Sequence, residues 1–232
     1  MNLTSYSQSG QIYYKENIKM IENYNVNQDG IVYQVNKNPI DYGTEYIKNS
    51  YANYGELPTY MAYLRLGNII GTLSRVPKSI LDVGYGDGSF LKVCNNIIPK
   101  CYGYDVSSYP VPEGCEVVSS MTKNFYDVIT FFDSLEHFEY IEFVKDLQCS
   151  VVCISVPHCH YNDDEWFENW KHRRPDEHLW HFKKESLVKF MNRMGYVLAS
   201  YSNVEDTIRK NSQQKETNIL TCVFKKSETV EL

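Results

Sequence analysis

Short apolar segments alternate with segments of helical spacing in the chain after residue 78. The apolar segments predict strands at residues 80–83, 101–104, 116–118, 128–132, 151–156, 196–202 and 218–224. Helices are predicted between them at residues 89–96, 134–146 and 184–194, and a polar segment at 205–217 predicts a mobile loop. Strands alternating with helices are typical of a parallel sheet covered on both faces. The pattern therefore predicts an α/β fold.

The first 57 residues differ from the rest of the chain because they are rich in tyrosine and asparagine. Apolar residues at 18–21 and 31–35 flank Asp29 and Gly30, and an Asp-Gly pair in this setting predicts a small hairpin. Pro58 then opens a segment with helical spacing that Pro77 stops. We expect an N-terminal appendage or lid at residues 1–57, a main domain at 58–226, and an insertion into that domain at 157–183.

A glycine-rich loop follows the first strand of the main domain. The sequence DVGYGDG places Asp82 at the strand end and glycines at 84, 86 and 88, where a backbone can turn sharply and approach a ligand. Asp105 closes the next strand, about 20 residues on, which is the position from which a carboxylate accepts hydrogen bonds from ribose hydroxyls. The spacing predicts a nucleoside cofactor, and a Rossmann-like protein that uses NAD is one alternative.

Three segments in this order resemble the class I S-adenosylmethionine-dependent methyltransferases, in particular the small-molecule and sugar O-methyltransferases. They are LDVGYGDGSFL, FYDVITFFDSLEHF and HLWHFKKESLVKFMNRMGY, and the resemblance covers residues 79–195. It implies a Rossmann-like sandwich whose seven-stranded sheet is mostly parallel with an antiparallel last strand. It also implies S-adenosyl-L-methionine as cofactor, bound by Asp82, Gly84, Tyr85, Gly86, Asp105, Val106 and Phe132. One departure is that residues 119–121 offer no acidic side chain to the adenine.

All six histidines lie between residues 137 and 181, in the part of the chain that follows the fourth and fifth predicted strands. The run D-x-x-E-H begins at the end of the fourth strand, and the insertion adds two more imidazoles in the run HLWH. Carboxylates combined with imidazoles suit divalent transition metals. These residues predict a site for a divalent metal, Mn or Mg, with the ligands Asp133, Glu136, His137 and His178.

This pattern is also similar to the metal-binding methyltransferases that modify the terminal ribose of small RNAs, and to the ubiquinone-pathway O-methyltransferases. The resemblance implies that an ion draws the acceptor hydroxyl towards its deprotonated form. Two other interpretations remain open. His137 or His181 is a general base that acts without a metal, or Glu136 and His137 only brace a helix.

Composition restricts the partners. The chain has 23 Lys and Arg against 29 Asp and Glu, a net charge of -6, which disfavours binding to long nucleic acid. No apolar segment is long enough to cross a membrane, and the first residues lack the features of a signal peptide. We therefore expect a cytoplasmic protein without a membrane partner. The pattern does not indicate the oligomeric state.

The densest basic patch of this acidic chain lies in the insertion, at residues 171–174, with tryptophans on both sides. Such a patch either clamps a diphosphate or is a solvated face. Together with the resemblance it predicts O-methylation of a sugar hydroxyl, on a nucleotide-activated sugar for surface-polysaccharide synthesis. The alternatives are methylation of an RNA or DNA end or of another small molecule, and a cofactor-binding module without catalysis.

Overall fold

The computed structural model describes residues 21–38, 40, 42–43, 55–107, 109–209 and 216–227. Ten strands and four helices follow one another there. In chain order they are β1 (Tyr24–Val26), β2 (Val32–Gln34), α1 (Leu57–Leu73), β3 (Ile80–Val83), α2 (Ser89–Cys94), β4 (Cys101–Tyr104), β5 (Glu116–Val117), β6 (Tyr126–Phe132), β7 (Cys149–Pro157), α3 (Asp164–Asn169), β8 (Trp180–His181), α4 (Lys184–Arg193), β9 (Tyr196–Ser202) and β10 (Ile219–Lys226).

Seven strands form one sheet in the order β5-β4-β3-β6-β7-β10-β9. The first five of these are mutually parallel, whereas β10 is antiparallel to both β7 and β9. This confirms the mostly parallel seven-stranded sheet with an antiparallel last strand. Because the chain order reverses between β3 and β6, the crevice above their carboxyl ends is the position where such sheets bind ligands.

The central strands are buried on both faces. Every residue of β6 is buried, which explains why the strand sequence is almost continuously apolar rather than alternating. On one face Leu66 and Ile69 of α1 pack with α2, and on the other Phe190 and Met191 of α4 close the core. The edge strand β9 instead alternates between exposed positions and positions that are buried or half-buried, as expected for a strand with one face towards solvent.

A second, three-stranded sheet joins the N-terminal region to the insertion. β1 and β2 form the predicted hairpin around Asp29 and Gly30, although β1 lies at Tyr24–Val26 rather than at 18–21, and residues 18–20 lie outside the described part of the chain. β2 continues the sheet by pairing with β8, so that Val32 faces His181 and Tyr33 faces Trp180. The hairpin therefore supports the segment that carries the histidines of the insertion.

An ion pair fixes this hairpin to the main domain. The Asp29 side chain, 2% exposed, accepts hydrogen bonds from Arg193 Nη2 at 2.6 Å and Nε at 3.1 Å. Asp29 lies in the turn of the hairpin and Arg193 in the last turn of α4, where a cation also interacts favourably with the helix dipole. The ion pair therefore attaches the N-terminal hairpin to α4, the helix that covers one face of the sheet.

Two sequence predictions are wrong. The helix predicted at 134–146 is instead two separate 3-10 turns, Leu135–His137 and Glu142–Asp146, because Phe138 between them is extended. The polar segment predicted as a mobile loop from residue 205 begins with a 3-10 turn, Val204–Thr207, whose Glu205 is fully buried. Residues 210–215 of that loop lie outside the described residues.

The helix α3 and the strand β8, both in the insertion, were not predicted, and the other differences concern the ends of elements. α1 stops at Leu73 rather than near Pro77, because Ser74 adopts a left-handed conformation with φ 55°. β6, β7 and β10 extend beyond their predicted ends, since pairing with neighbours continues past the apolar core of each strand. Within the described residues no helix is long and apolar enough to cross a membrane.

We expect Arg193→Ala to destabilise the protein by about 1–3 kcal/mol, because it leaves the buried Asp29 carboxylate without its partner. Lys189→Ala is the matched control. Lys189 lies on the same helix and donates to the Gln28 carbonyl of the same hairpin, but from an exposed position. Urea unfolding followed by circular dichroism measures both variants, and an equal effect of the two would contradict a specific role for the ion pair.

Candidate active site

A cavity of about 1090 Å³ opens above the carboxyl ends of β3, β4 and β6. The cavity is lined by all seven residues that the sequence predicts to bind the cofactor: Asp82, Gly84, Tyr85, Gly86, Asp105, Val106 and Phe132. Basic and histidine side chains line the other part, including Arg65, Lys171, His172 and Arg209. The cavity therefore has an acidic, glycine-rich part and a part rich in nitrogen donors.

The glycine-rich loop is held in a conformation that other residues do not adopt readily. Gly84 has φ +77°, and a Cβ at this position would lie 2.6 Å from the Cβ of Ser134. The Ser134 hydroxyl in turn donates to the Val83 carbonyl at 2.7 Å. Glycine is thus required here both for the backbone angle and for close approach of the segment that follows β6.

Asp105 is oriented by backbone groups. Its two carboxylate oxygens accept from Gly86 N–H at 3.0 Å and from Ser107 N–H at 2.7 Å. These bonds fix the carboxylate beside the glycine loop at the end of β4. The next residue, Val106, is 70% exposed although it is apolar, and it lines the cavity beside Asp105.

Asp82 is the buried acid of the cavity. It is 3% exposed, and Thr130 Oγ1 donates to its carboxylate at 2.7 Å. Burial raises the pKa of Asp82 to about 6, against the smaller opposing effects of the Thr130 hydrogen bond and of Arg65. A cationic ligand group beside this carboxylate would favour its charged form.

Glu136, His137 and His178 form a compact group at the other end. One ligand atom from each lies within 4.8 Å of the others. Glu136 is 1% exposed, and neither of its carboxylate oxygens has a hydrogen-bond partner among the described residues. Burial, with a contribution from the Asp133 charge, raises the pKa of Glu136 well above its usual value. An unpaired buried carboxylate is costly, and a bound cation would remove that cost.

Both imidazoles of this group have one nitrogen already engaged. His178 Nδ1 donates to the His172 carbonyl at 2.7 Å, which leaves Nε2 with a lone pair. His137 Nδ1 lies 3.2 Å from the Tyr42 hydroxyl, which donates to the Glu177 carbonyl at 3.5 Å. Burial lowers the pKa of both histidines, so they are neutral at pH 7. Neutral, oriented imidazoles are the form that binds metals.

Asp133, the fourth predicted metal ligand, is outside this group. Its carboxylate accepts from Arg65 Nη2 at 2.8 Å and from Arg209 Nη1 at 2.9 Å. Burial would raise the pKa of Asp133, but the two guanidinium groups outweigh this effect and hold that pKa below its usual range. The backbone explains the difference from the prediction: Asp133 has φ +53°, so the D-x-x-E-H run does not continue as a helix that would align Asp133 with Glu136.

The sequence did not predict the partners of Asp133. Glu205, which is fully buried, pairs with Arg65 at 2.7 Å and with Arg209 at 3.2 Å. Arg65 also lies over the Phe132 ring, 4.3 Å from its centroid. The only available signal was a lone arginine between the apolar positions of α1, which is common on exposed helix faces.

His181, predicted as a catalytic base, does not line the cavity as the structure describes it. It is 2% exposed and packs against the rings of Tyr24, Phe167 and Trp170. Burial lowers its pKa to about 3. The geometry therefore places His181 in the core of the insertion, and of the two predicted bases only His137 faces the cavity.

The sequence matches a family of methyltransferase domains over residues 59–201, more than half of the chain. The chain belongs to this family and is an S-adenosylmethionine-dependent methyltransferase. A comparison with curated protein sequences gives no significant match.

Solved structures show the same fold at low identity. The Synechocystis PCC 6803 magnesium protoporphyrin IX methyltransferase with bound SAH is 13% identical, with a TM-score of 0.56, over 80% of this chain and 96% of that one. The Burkholderia thailandensis 1,6-didemethyltoxoflavin-N1-methyltransferase is 12% identical, with a TM-score of 0.55, over 88% and 99%. The methyltransferase domain of bacterial CtHen1-C is 18% identical, with a TM-score of 0.51, over 72% and 100%. These neighbours support the fold and leave the acceptor open.

We expect the affinity for S-adenosylhomocysteine to decrease as the pH falls through about 6. We assign Asp82 to the ammonium of this ligand, and because the carboxylate is ionised above its pKa and protonated below it, this attraction would be lost in acid. Titration calorimetry between pH 5 and pH 7.5 should show a roughly tenfold loss at the acidic end. Asp82→Asn should give a flat profile and Asp146→Asn, at an exposed position that does not line the cavity, the wild-type profile. A flat wild-type profile would contradict the role of Asp82.

Proposed function

We propose that this methyltransferase is an O-methyltransferase that transfers the methyl group of S-adenosylmethionine to a sugar hydroxyl, assisted by a divalent metal. The observation that carries the proposal is the Glu136 carboxylate, which is buried, lacks hydrogen-bond partners and lies beside two neutral imidazoles. A cation bound beside this carboxylate would compensate the cost of burying it without hydrogen bonds.

The donor set fits a divalent transition metal. One carboxylate and two imidazoles, Glu136, His137 and His178, would hold the ion, and this mixture of ligands favours Mn over Mg or Ca. Three protein ligands leave positions open for an acceptor oxygen. When bound, such an ion supplies Lewis acidity that lowers the pKa of an acceptor hydroxyl. The Tyr42 hydroxyl and the His172 carbonyl keep the two imidazoles in the orientation that the site requires.

The shape of the cavity supports a reaction between two bound molecules. The acidic part contains Asp82 and Asp105, which we assign to the ammonium and the ribose of the cofactor. The histidine-rich part is continuous with it, so an acceptor oxygen held there would face the sulfonium methyl group. The contribution of the chain to rate is then mainly alignment of the two molecules.

A sugar acceptor is favoured by the polar lining of this second part. Tyr42, His172, Lys171 and Asn218 line it and offer donors and acceptors beside apolar residues of the same cavity such as Met61 and Ile208. Hydroxyl-rich ligands are recognised through such groups. We propose a nucleotide-activated sugar, as used for surface polysaccharides, as the acceptor.

Metal-free catalysis by His137 is a second candidate. His137 lines the cavity, and burial lowers its pKa, so its imidazole is neutral at pH 7 and able to take a proton. On this alternative the Tyr42 hydroxyl orients the base. It leaves the burial of Glu136 unexplained, which is why we place it second.

We expect Glu136→Gln to lose binding of manganese while binding of S-adenosylhomocysteine is unchanged, because only the carboxylate supplies the negative ligand. Titration calorimetry of EDTA-treated protein measures both ligands. Glu139→Gln is the matched control, since Glu139 lines the same cavity but its exposed side chain pairs with Lys37.

Two outcomes of this experiment contradict the proposal. Wild-type protein that binds no manganese excludes the metal site and leaves His137 as the candidate base. Equal manganese affinity of the wild type and Glu136→Gln would show that the ion binds at a position that does not include Glu136. Failure of S-adenosylhomocysteine to bind would instead contradict the cofactor assignment.

A further inference from the structure

The basic patch of the insertion divides into two groups in the fold. Lys171 and Arg174 line the cavity on the histidine side, together with Arg209 from the segment after β9. Arg173 turns the other way, with its guanidinium 5.3 Å from the Tyr24 ring centroid and 5.8 Å from that of Phe167. Three cations from two distant parts of the chain therefore face the same cavity, and the fourth supports the core of the insertion.

We propose that Lys171, with Arg174 and Arg209 beside it, forms an oxyanion subsite that binds a phosphate group of the acceptor. This inference rests on the proposed function, in which the acceptor occupies this part of the cavity. It goes beyond that proposal by assigning the residues that select a phosphorylated acceptor.

The charges of these cations differ in how far they are already neutralised. Arg174 pairs with Glu177 at 3.0 Å, and Arg209 pairs with Asp133 and Glu205. Lys171 makes no hydrogen bond or ion pair with any residue that the structure describes, although it lines the cavity. Its ammonium is therefore the group with free donors at this position.

The surroundings of Lys171 favour an anion. Partial burial lowers the pKa of Lys171, the Asp206 carboxylate raises it, and the Arg209 guanidinium lowers it by a smaller amount. Asp206 itself accepts hydrogen bonds from the backbone N–H groups of Asn218 and Ile219 and makes no hydrogen bond or ion pair with Lys171, so an anion bound at the ammonium would compensate its partial desolvation. The three guanidinium nitrogens of Arg209 already contact Asp133 and Glu205, so Arg209 contributes nearby positive charge and Lys171 contributes the free donors.

The two parts of the cavity differ in charge. Asp82, Asp87 and Asp105 line the cofactor side, where the resemblance places a cationic sulfonium compound. On the acceptor side Glu177 pairs with Arg174 and Asp133 pairs with Arg209, so that the charge of Lys171 is the one without an ion-pair partner among the described residues. Complementarity therefore favours a cationic donor next to an anionic acceptor. A phosphate or diphosphate suits this side because it accepts bonds from several cations at once.

Binding of pyrophosphate and of inorganic phosphate to the full chain, saturated with S-adenosylhomocysteine, tests the proposal. The protein is freed of metal with EDTA and dialysed, so that neither anion is chelated and the result does not depend on the metal site. We expect Lys171→Gln to lower the affinity for pyrophosphate about tenfold, Lys171→Arg to retain most of it, and Lys92→Gln, on the exposed face of α2, to leave it unchanged.

Each outcome separates this inference from the proposed function. If the wild-type protein binds pyrophosphate more tightly than phosphate, the acceptor carries a diphosphate. If it binds both equally, the acceptor carries a single phosphate. Both results support the subsite. No binding by wild type, or equal binding by Lys171→Gln and Lys92→Gln, overturns it. Manganese and S-adenosylhomocysteine binding, measured on the same preparations, report on the proposed function independently.

Discussion

The buried Glu136 carboxylate is the constraint on which the arrangement of the acceptor side depends. A carboxylate removed from water without hydrogen bonds is stable only when it is protonated or when it faces a cation. The fold places two imidazoles against it and then fixes each imidazole through an outer partner, Tyr42 or the His172 carbonyl. This combination of an unsatisfied acid with oriented neutral bases is what a metal site requires and what a structural core avoids.

A second buried charge cluster holds the walls of the cavity together. Asp133 and Glu205 share Arg65 and Arg209, so that α1, the end of β6 and the segment after β9 meet at one point. The cluster is balanced, with two acids and two arginines. It therefore stabilises the cavity without adding net charge, and among the described residues of the acceptor side it leaves Glu136 and Lys171 without an ion-pair partner.

The sequence predicted the sheet well and the details of the site less well. The strands and the cofactor loop follow from local patterns, because an apolar run or a glycine spacing is visible within ten residues. The helix at 134–146 was wrong because the helical spacing does not reveal the positive φ of Asp133. The Arg65 and Glu205 pairing joins positions 140 residues apart, which no local pattern shows. His178 and His181 were predicted together, but β8 directs His181 into the core.

The central claim is that Glu136, His137 and His178 bind a divalent ion next to the cofactor. Anomalous diffraction from crystals grown with manganese and S-adenosylhomocysteine tests it most directly. The account predicts one strong peak within about 2.5 Å of Glu136, His137 and His178, with the ligand sulfur in the same cavity. A map without a peak at these residues, in which Glu136 instead bonds to water or to a histidine N–H, would contradict it.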